Sequence, residues 1–150
     1  MDAKTITTSP TDGEAAAAVR QAAKKKALSS AKAALPLGPY SQGIAAGNFI
    51  FVAGEKGIDP KTEQLVPGGI AAETRQTLEN IKAALEAAGA SLSDLVRTNT
   101  YVTDIDEYFK HTDVRMEYYS HAMPTSTTVE VRRLAQPELM VEIDAIAAVG

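Results

Sequence analysis

The sequence predicts an α+β domain in which one mixed β-sheet carries two helices on a single face. Three observations support this fold class: an apolar stripe with helical spacing after residue 69, strand-like runs on both sides of it, and two final runs in which apolar and polar residues alternate. The predicted order of elements is β-β-α-β-α-β-β, which is typical of a single sheet with segregated helices. The length of 150 residues fits one domain.

The N-terminal segment differs from the rest of the chain in charge and composition. Residues 1–33 carry a net charge of +3 and the remainder −7, which together give the net −4 of the chain. Asp12 can cap a helix that runs to Lys26, because Lys24–Lys26 suit the negative end of the helix dipole. We therefore expect an Ala- and Lys-rich helical extension, residues 1–26, and a domain of residues 27–150. A mitochondrial presequence is the alternative, because these basic residues lie in an Ala-rich helical stretch.

A β-hairpin is predicted at the start of the domain. Ser41–Ala46 and Phe49–Ala53 are short strand-like runs, and the Gly47-Asn48 pair between them is typical of a tight turn. The following segment, Gly54–Gly69, is predicted as a loop because Gly and Pro recur along it.

The clearest predicted helix covers residues 70–88. Its apolar side chains form one stripe at spacings of three and four residues, and Gly89 follows where a helix-ending glycine belongs. The next run, Leu95–Val102, is rich in β-branched residues and is predicted as a strand. A second helix is predicted over Asp106–Tyr119, with the aspartate as its N-terminal cap.

Two final strands, Thr125–Arg132 and Leu139–Ala147, alternate polar and apolar residues. The polar face of the first consists of Ser126, Thr128, Glu130 and Arg132, and that of the second contains Glu142 and Asp144. We expect these residues on the outer face of the sheet, where they would meet solvent, form a subunit interface or line a cleft. Glu130 and Glu142 would then be a candidate carboxylate pair for proton transfer.

Composition excludes several classes of chemistry. The chain contains no cysteine and two histidines, which excludes disulfides and thiolate catalysis and disfavours a transition-metal site. It contains no apolar run of membrane-spanning length and no apolar segment typical of a secretory signal. The acidic balance of the domain disfavours nucleic acid as a partner. We expect a cytoplasmic protein without a cofactor or a metal ion.

Five segments carry a family resemblance. They are Gly38–Gly43, Val52–Gly54 with Asp59–Thr62, Arg75–Lys82 with Glu86–Gly89, Val129–Leu134, and Val141–Ala147. In this order they resemble the RidA family, also written YjgF/YER057c/UK114, over Lys26 to Val149. The resemblance implies a chorismate-mutase-like fold and a homotrimer with a cleft between each pair of subunits. It also implies hydrolysis of enamines and imines of small metabolites to keto acids and ammonia.

The resemblance implies roles for individual residues. Tyr40 matches the tyrosine of the cleft, Gly54 the backbone donor, and Glu142 the glutamate that holds the attacking water. Thr128 takes the place of a cysteine that is usual in the family, and Glu55 that of a common glutamine.

The largest departure from the family pattern is Ser126, which replaces the arginine that pairs with the substrate carboxylate. Serine cannot supply a charged, bidentate donor, so we expect a diverged hydrolase whose substrate is not a simple 2-imino acid. A 2-aminomuconate-type deaminase is one such possibility. A non-catalytic, ligand-binding or regulatory trimer is the alternative, and the acidic domain disfavours RNA cleavage.

Overall fold

The computed structural model describes residues 11–22 and 24–150. Its helices are α1 (Asp12–Ala22), α2 (Gly69–Ala87), α3 (Ile105–Lys110) and α4 (Thr112–Tyr119), with a short 3₁₀ turn at Leu92–Asp94. Its strands are β1 (Lys25–Leu28), β2 (Gly43–Ala46), β3 (Phe49–Lys56), β4 (Ile58–Asp59), β5 (Gln64–Leu65), β6 (Leu95–Val102), β7 (Thr125–Glu130) and β8 (Val141–Ala148). The predicted α+β class is confirmed. Within the described ranges, every helix is too short or too polar to cross a membrane.

Six strands form one sheet in the order β1-β2-β3-β8-β6-β7, and β4 pairs with β5 in a small separate hairpin. All neighbours in the large sheet are antiparallel except β6 and β7, which are parallel. Helix α2 packs on β3 and β8 and also contacts α3 and α4. The face of β8 beneath it is fully apolar and buried, and it consists of Val141, Ile143, Ala145 and Ala147.

The first long helix and the strand after it agree with the predicted pattern. Leu78, Ile81 and Leu85 of α2 lie in the core, as the apolar stripe predicts. The helix ends where Gly89 adopts a left-handed conformation (φ 76°) and donates its N–H to the carbonyl of Glu86. A residue with a β-carbon would be strained at this angle.

The predicted N-terminal helix is wrong at its C-terminal end. Helix α1 ends at Ala22, and Lys25–Leu28 forms the edge strand β1, which pairs with β2. Leu28 reaches the core, whereas the lysines remain exposed, and exposed lysines suit an edge strand as well as a helix end. Strand β1 crosses the predicted boundary between residues 26 and 27. Residues 1–10 and 23 of the predicted extension lie outside the described residues.

Two other predicted elements need correction. The segment predicted as the loop Gly54–Gly69 contains the end of β3 and the β4–β5 hairpin. The second predicted helix is divided into α3 and α4 at His111. Its cap is Asp104 rather than Asp106, because the Asp104 carboxylate accepts the N–H of Glu107 at 2.8 Å.

The prediction that Ser126 and Thr128 lie on the outer face of the sheet is also wrong. Parallel pairing with β6 aligns Ser126 with Thr98 and Thr128 with Thr100, and both β6 threonines are buried under the helices. The two β7 residues therefore point to the helix side of the sheet.

The carboxylate pair suggested by the sequence does not form. Glu130 also lies on the helix side, where it accepts the N–H of Ile105 at the start of α3 at 3.0 Å. Glu142 pairs with Tyr101 on the opposite face. Glu130 therefore supports a helix terminus.

Asn80 of α2 holds the end of β3 in place. Its fully buried amide group donates to the carbonyls of Lys56 and Ile58, each at 2.9 Å, and accepts a hydrogen bond from Gln76. The two carbonyls flank Gly57, where a β-carbon would lie 2.7 Å from Glu73 Cα. This close approach allows α2 to fix the strand end directly.

We expect Asn80→Ala to lower the free energy of unfolding by about 2–4 kcal/mol, because two partly buried carbonyls lose their donors. Urea unfolding at one protein concentration measures the change. Glu86→Ala, at an exposed position of the same helix, is the control and should change stability by less than about 0.5 kcal/mol. Equal effects of the two substitutions would contradict the role of Asn80.

Candidate functional site

A cavity of about 280 Å³ lies beside the end of β3, and we call it the β3 cavity. It is lined by Ala34, Leu35, Pro36, Leu37, Tyr40, Gln42, Gly54, Glu55, Lys56, Ile58, Glu63 and Gln136. The lining combines apolar side chains with a few polar and charged groups, as small-molecule sites commonly do.

A β-bulge shapes one wall of the β3 cavity. The register between β3 and β8 shifts between Val52 and Glu55, so that residues 53 and 54 together lie opposite Asp144. The Glu142 side chain packs directly against Gly54: a β-carbon there would overlap Glu142 Oε1 and lie 3.0 Å from its Cδ. Glycine at position 54 therefore makes the space that the Glu142 carboxylate occupies.

Tyr40 also lines the β3 cavity. Its phenol oxygen accepts the N–H of Leu37 at 3.1 Å, which leaves its O–H free to donate among the described residues. The ammonium of Lys56 lies 5.9 Å from the centroid of the Tyr40 ring and donates to the carbonyl of Gly54 at 3.2 Å. Tyr40, Gly54 and Lys56 are thereby linked around one space.

Gln42 fixes the loop that forms the apolar wall. Its buried amide accepts the N–H of Ser30 at 2.6 Å and donates to the carbonyls of Ser30, Ala33 and Ala34 at 2.8–3.2 Å. One side chain thus replaces backbone pairing for a segment that belongs to no helix or strand. Gln42 occurs in a motif that the sequence highlights, but only the hydrogen bonds show what it does.

Glu55 is the most perturbed acid of the β3 cavity. Its side chain turns to the covered face of the sheet, and the residue is only 5% exposed. Burial raises the pKa of Glu55 from 4.5 to about 7; the nearby Lys56 ammonium opposes this shift and the Glu142 carboxylate adds to it. A carboxyl group with this pKa exchanges protons near neutral pH.

The structure brings together four of the six residues that the sequence suggests for a site. Tyr40, Gly54 and Glu55 line the β3 cavity, and Glu142 packs against Gly54. Ser126 and Thr128 do not join them within one chain: three strand spacings, about 14 Å, separate β7 from β3. The cavity is also lined by four residues for which the sequence predicts no role in a site: Gln42, Lys56, Glu63 and Gln136.

The fold and this cavity define a class of protein: a small α+β domain with a polar site at a bulge in a largely antiparallel sheet. Residues 30–149 match the family model described as Endoribonuclease L-PSP. The chain belongs to this family, which is the RidA/YjgF family that the sequence resembles.

Known relatives match most of their own length. A RutC family protein of Pyrococcus horikoshii is 47% identical over 123 residues, 82% of this chain and 97% of the relative. A 2-iminobutanoate/2-iminopropanoate deaminase of Bos taurus is 37% identical over 126 residues, 84% of this chain and 91% of the relative.

Solved structures agree with the fold. RidA from an Antarctic Psychrobacter superposes with a TM-score of 0.78 at 35% identity, covering 83% of this chain and 99% of its own. E. coli TdcF with bound serine superposes with a TM-score of 0.77 at 30% identity, covering 83% and 99%.

We expect the stability of Glu55→Gln, compared with that of the wild type, to be higher at pH 8 than at pH 5. The folded protein holds the Glu55 proton more tightly than the unfolded chain, so the wild type loses stability as pH rises from 4.5 to about 7. The neutral variant avoids this loss. Its stability relative to the wild type should therefore rise by about 2–3 kcal/mol between pH 5 and pH 8.

Urea unfolding at both pH values and one protein concentration measures this difference. Glu63→Gln, which changes an exposed carboxylate of the same cavity, is the control and should show no comparable rise. A Glu55→Gln effect that is equal at the two pH values would contradict the burial argument.

Proposed function

We propose that this protein hydrolyses the C=N bond of small imines in the β3 cavity, including imines that form from enamines by tautomerisation. The observation that carries the proposal is the Glu142 carboxylate held against the backbone of Gly54, at the edge of a cavity that also contains Tyr40 and Glu55. The Bos taurus relative, a 2-iminobutanoate/2-iminopropanoate deaminase by name, supports the same class of reaction.

The proposed reaction begins with water addition. Glu142 accepts a proton from water while the water oxygen bonds to the imine carbon, and the C=N electron pair takes up a proton to give a carbinolamine. Glu142 then gives its proton to the amino nitrogen, the hydroxyl group loses its proton to solvent as the C=O bond forms, and the C–N bond breaks so that ammonia leaves and a carbonyl product remains. Glu55 can serve as the proton donor to the nitrogen, because at neutral pH its carboxyl group is partly protonated. Tyr40 can donate a hydrogen bond to the substrate.

A second copy of the chain would complete this site. In the part of the chain that the structure describes, β7 pairs only with β6 and forms an edge of the sheet, and Ser126 on it is exposed. The uncovered face of the sheet carries exposed apolar side chains, among them Phe49, Phe51 and Val129. We propose that a homotrimer covers this face and brings Ser126 and Thr128 of one copy to the β3 cavity of its neighbour.

A ligand-binding function without turnover is the alternative. Ser126 favours it, because the family's arginine for the substrate carboxylate is missing at that position. Among hydrolase substrates, an imine larger than a simple 2-imino acid, including the 2-aminomuconate class, would depend least on the missing arginine. The binding-only function predicts that a ligand is retained unchanged.

We expect Glu142→Gln to lower kcat by about 100-fold or more, because the amide cannot accept the proton of water. Keto acid release from 2-iminopropanoate, generated in the assay by an amino acid oxidase, measures the rate. Asp144→Asn is the matched control on the same face of β8; its side-chain oxygen can still accept from Asn99, so activity should persist. Unchanged turnover in Glu142→Gln, with the oligomeric state retained, would refute the assignment.

Gly54→Ala should fold but lose most of its activity. The added methyl group meets the flexible end of the Glu142 side chain, which can swing away, and not a fixed backbone atom. The displaced carboxylate no longer positions water, so kcat should fall about 100-fold while the thermal midpoint stays close to that of the wild type. Wild-type kcat in a folded Gly54→Ala protein would show that the position of Glu142 against Gly54 is unimportant.

A further inference from the structure

Among the described residues that line the β3 cavity, Lys56 is the one cation. We propose that its ammonium binds an anionic group of the substrate and thereby makes the site selective for anionic imines although residue 126 is serine. This inference rests on the proposed function, because it names the substrate class of that same cavity. It replaces the expectation, drawn from Ser126 alone, that the site lacks a charged partner for a carboxylate.

The position of Lys56 beside Glu142 is fixed by the sheet. The two residues are antiparallel partners across β3 and β8, so their Cα atoms lie about 4.5–5.5 Å apart and their side chains leave the same face. The side-chain amide of Asn80, on helix α2, donates a hydrogen bond to the carbonyl of Lys56. A carboxylate bound by Lys56 would therefore place an adjoining C=N bond near the group proposed to activate water.

The ammonium of Lys56 retains unused hydrogen-bonding capacity. Its one hydrogen bond within the described residues goes to the carbonyl of Gly54 at 3.2 Å, and an ammonium group has three donors. The three ion pairs found in the described part of the chain all lie elsewhere: Arg75–Glu117, Lys110–Glu107 and His111–Glu107. Lys56 thus faces the cavity with two donors available, and no carboxylate of residues 11–22 or 24–150 lies within 4 Å of its ammonium.

An anion can bind Lys56 only if the neighbouring carboxylates do not compete for its ammonium. Glu55 and Glu63 line the cavity, and Glu142 lies next to it. Burial favours the neutral form of Glu55, which removes part of the negative charge that would otherwise compete with a ligand. None of these acids forms an ion pair with Lys56, which contacts a backbone carbonyl and the face of Tyr40.

Two substrates and two variants test this inference. Wild type, Lys56→Met and Lys56→Arg are assayed with 2-iminopropanoate and with its neutral amide, 2-iminopropanamide. For Lys56→Met we expect KM for the anionic imine to rise about 30-fold or more, the loss of one charge-assisted pair, with little change in kcat. Both constants for the neutral imine should stay within about threefold of wild type, and Lys56→Arg should retain a low KM for the anion.

A binding measurement separates this inference from the proposed function. Calorimetric titration with 2-oxobutanoate, a stable carboxylate, should give a Kd at least about tenfold weaker in Lys56→Met than in wild type. Equal affinity, or equal KM for 2-iminopropanoate, in a folded Lys56→Met protein would overturn the role of Lys56. If wild type converts neither imine, the proposed hydrolase fails, and the titration alone decides whether Lys56 binds an anion.

Discussion

The arrangement of the site depends on the extra residue in β3. If β3 paired with β8 without a bulge, residue 55 would lie with Glu142 on the uncovered face of the sheet, and residue 56 would point to the core. The bulge at residues 53 and 54 exchanges the faces of the two residues, so Glu55 is buried and Lys56 lies on the uncovered face beside Glu142. One inserted residue thus sets which charge is desolvated and which faces a ligand.

Helix α2 maintains this geometry from the covered side. Asn80 fixes the strand immediately after the bulge, and Gly57 allows the helix backbone to come close at the same point. From the same helix, the buried carboxylate of Glu73 accepts the N–H of Met140, two residues before Glu142. A single rigid element therefore positions both strands that contribute side chains to the site, which limits independent movement of the two.

The sequence predicts the parts of this fold that follow a simple period. The apolar stripe of α2 and the β-branched run of β6 agree with the structure because both segments bury a regular set of side chains. The alternation in β7 predicts the wrong face for Ser126 because it marks the side with Val129 as the inner one, whereas pairing with β6 places Val129 on the uncovered face of the sheet, where it is exposed. Burial of Glu55 could not be predicted from the sequence either, because the bulge interrupts the alternation of inward and outward side chains along β3.

The charges around the β3 cavity explain why Glu55, which is buried, and Lys56, which forms no ion pair within the described residues, can belong to the same site. The described residues in and next to the β3 cavity supply three carboxyl groups and one ammonium, so with every acid ionised the local field would repel an anion. Burial of Glu55 holds its pKa at about 7, and near neutral pH this group is neutral in much of the population. The bulge that buries Glu55 therefore also weakens the negative field at Lys56. The same distortion of β3 places the ammonium beside Glu142 and reduces the competition for it, so geometry and electrostatics at this site have one structural origin.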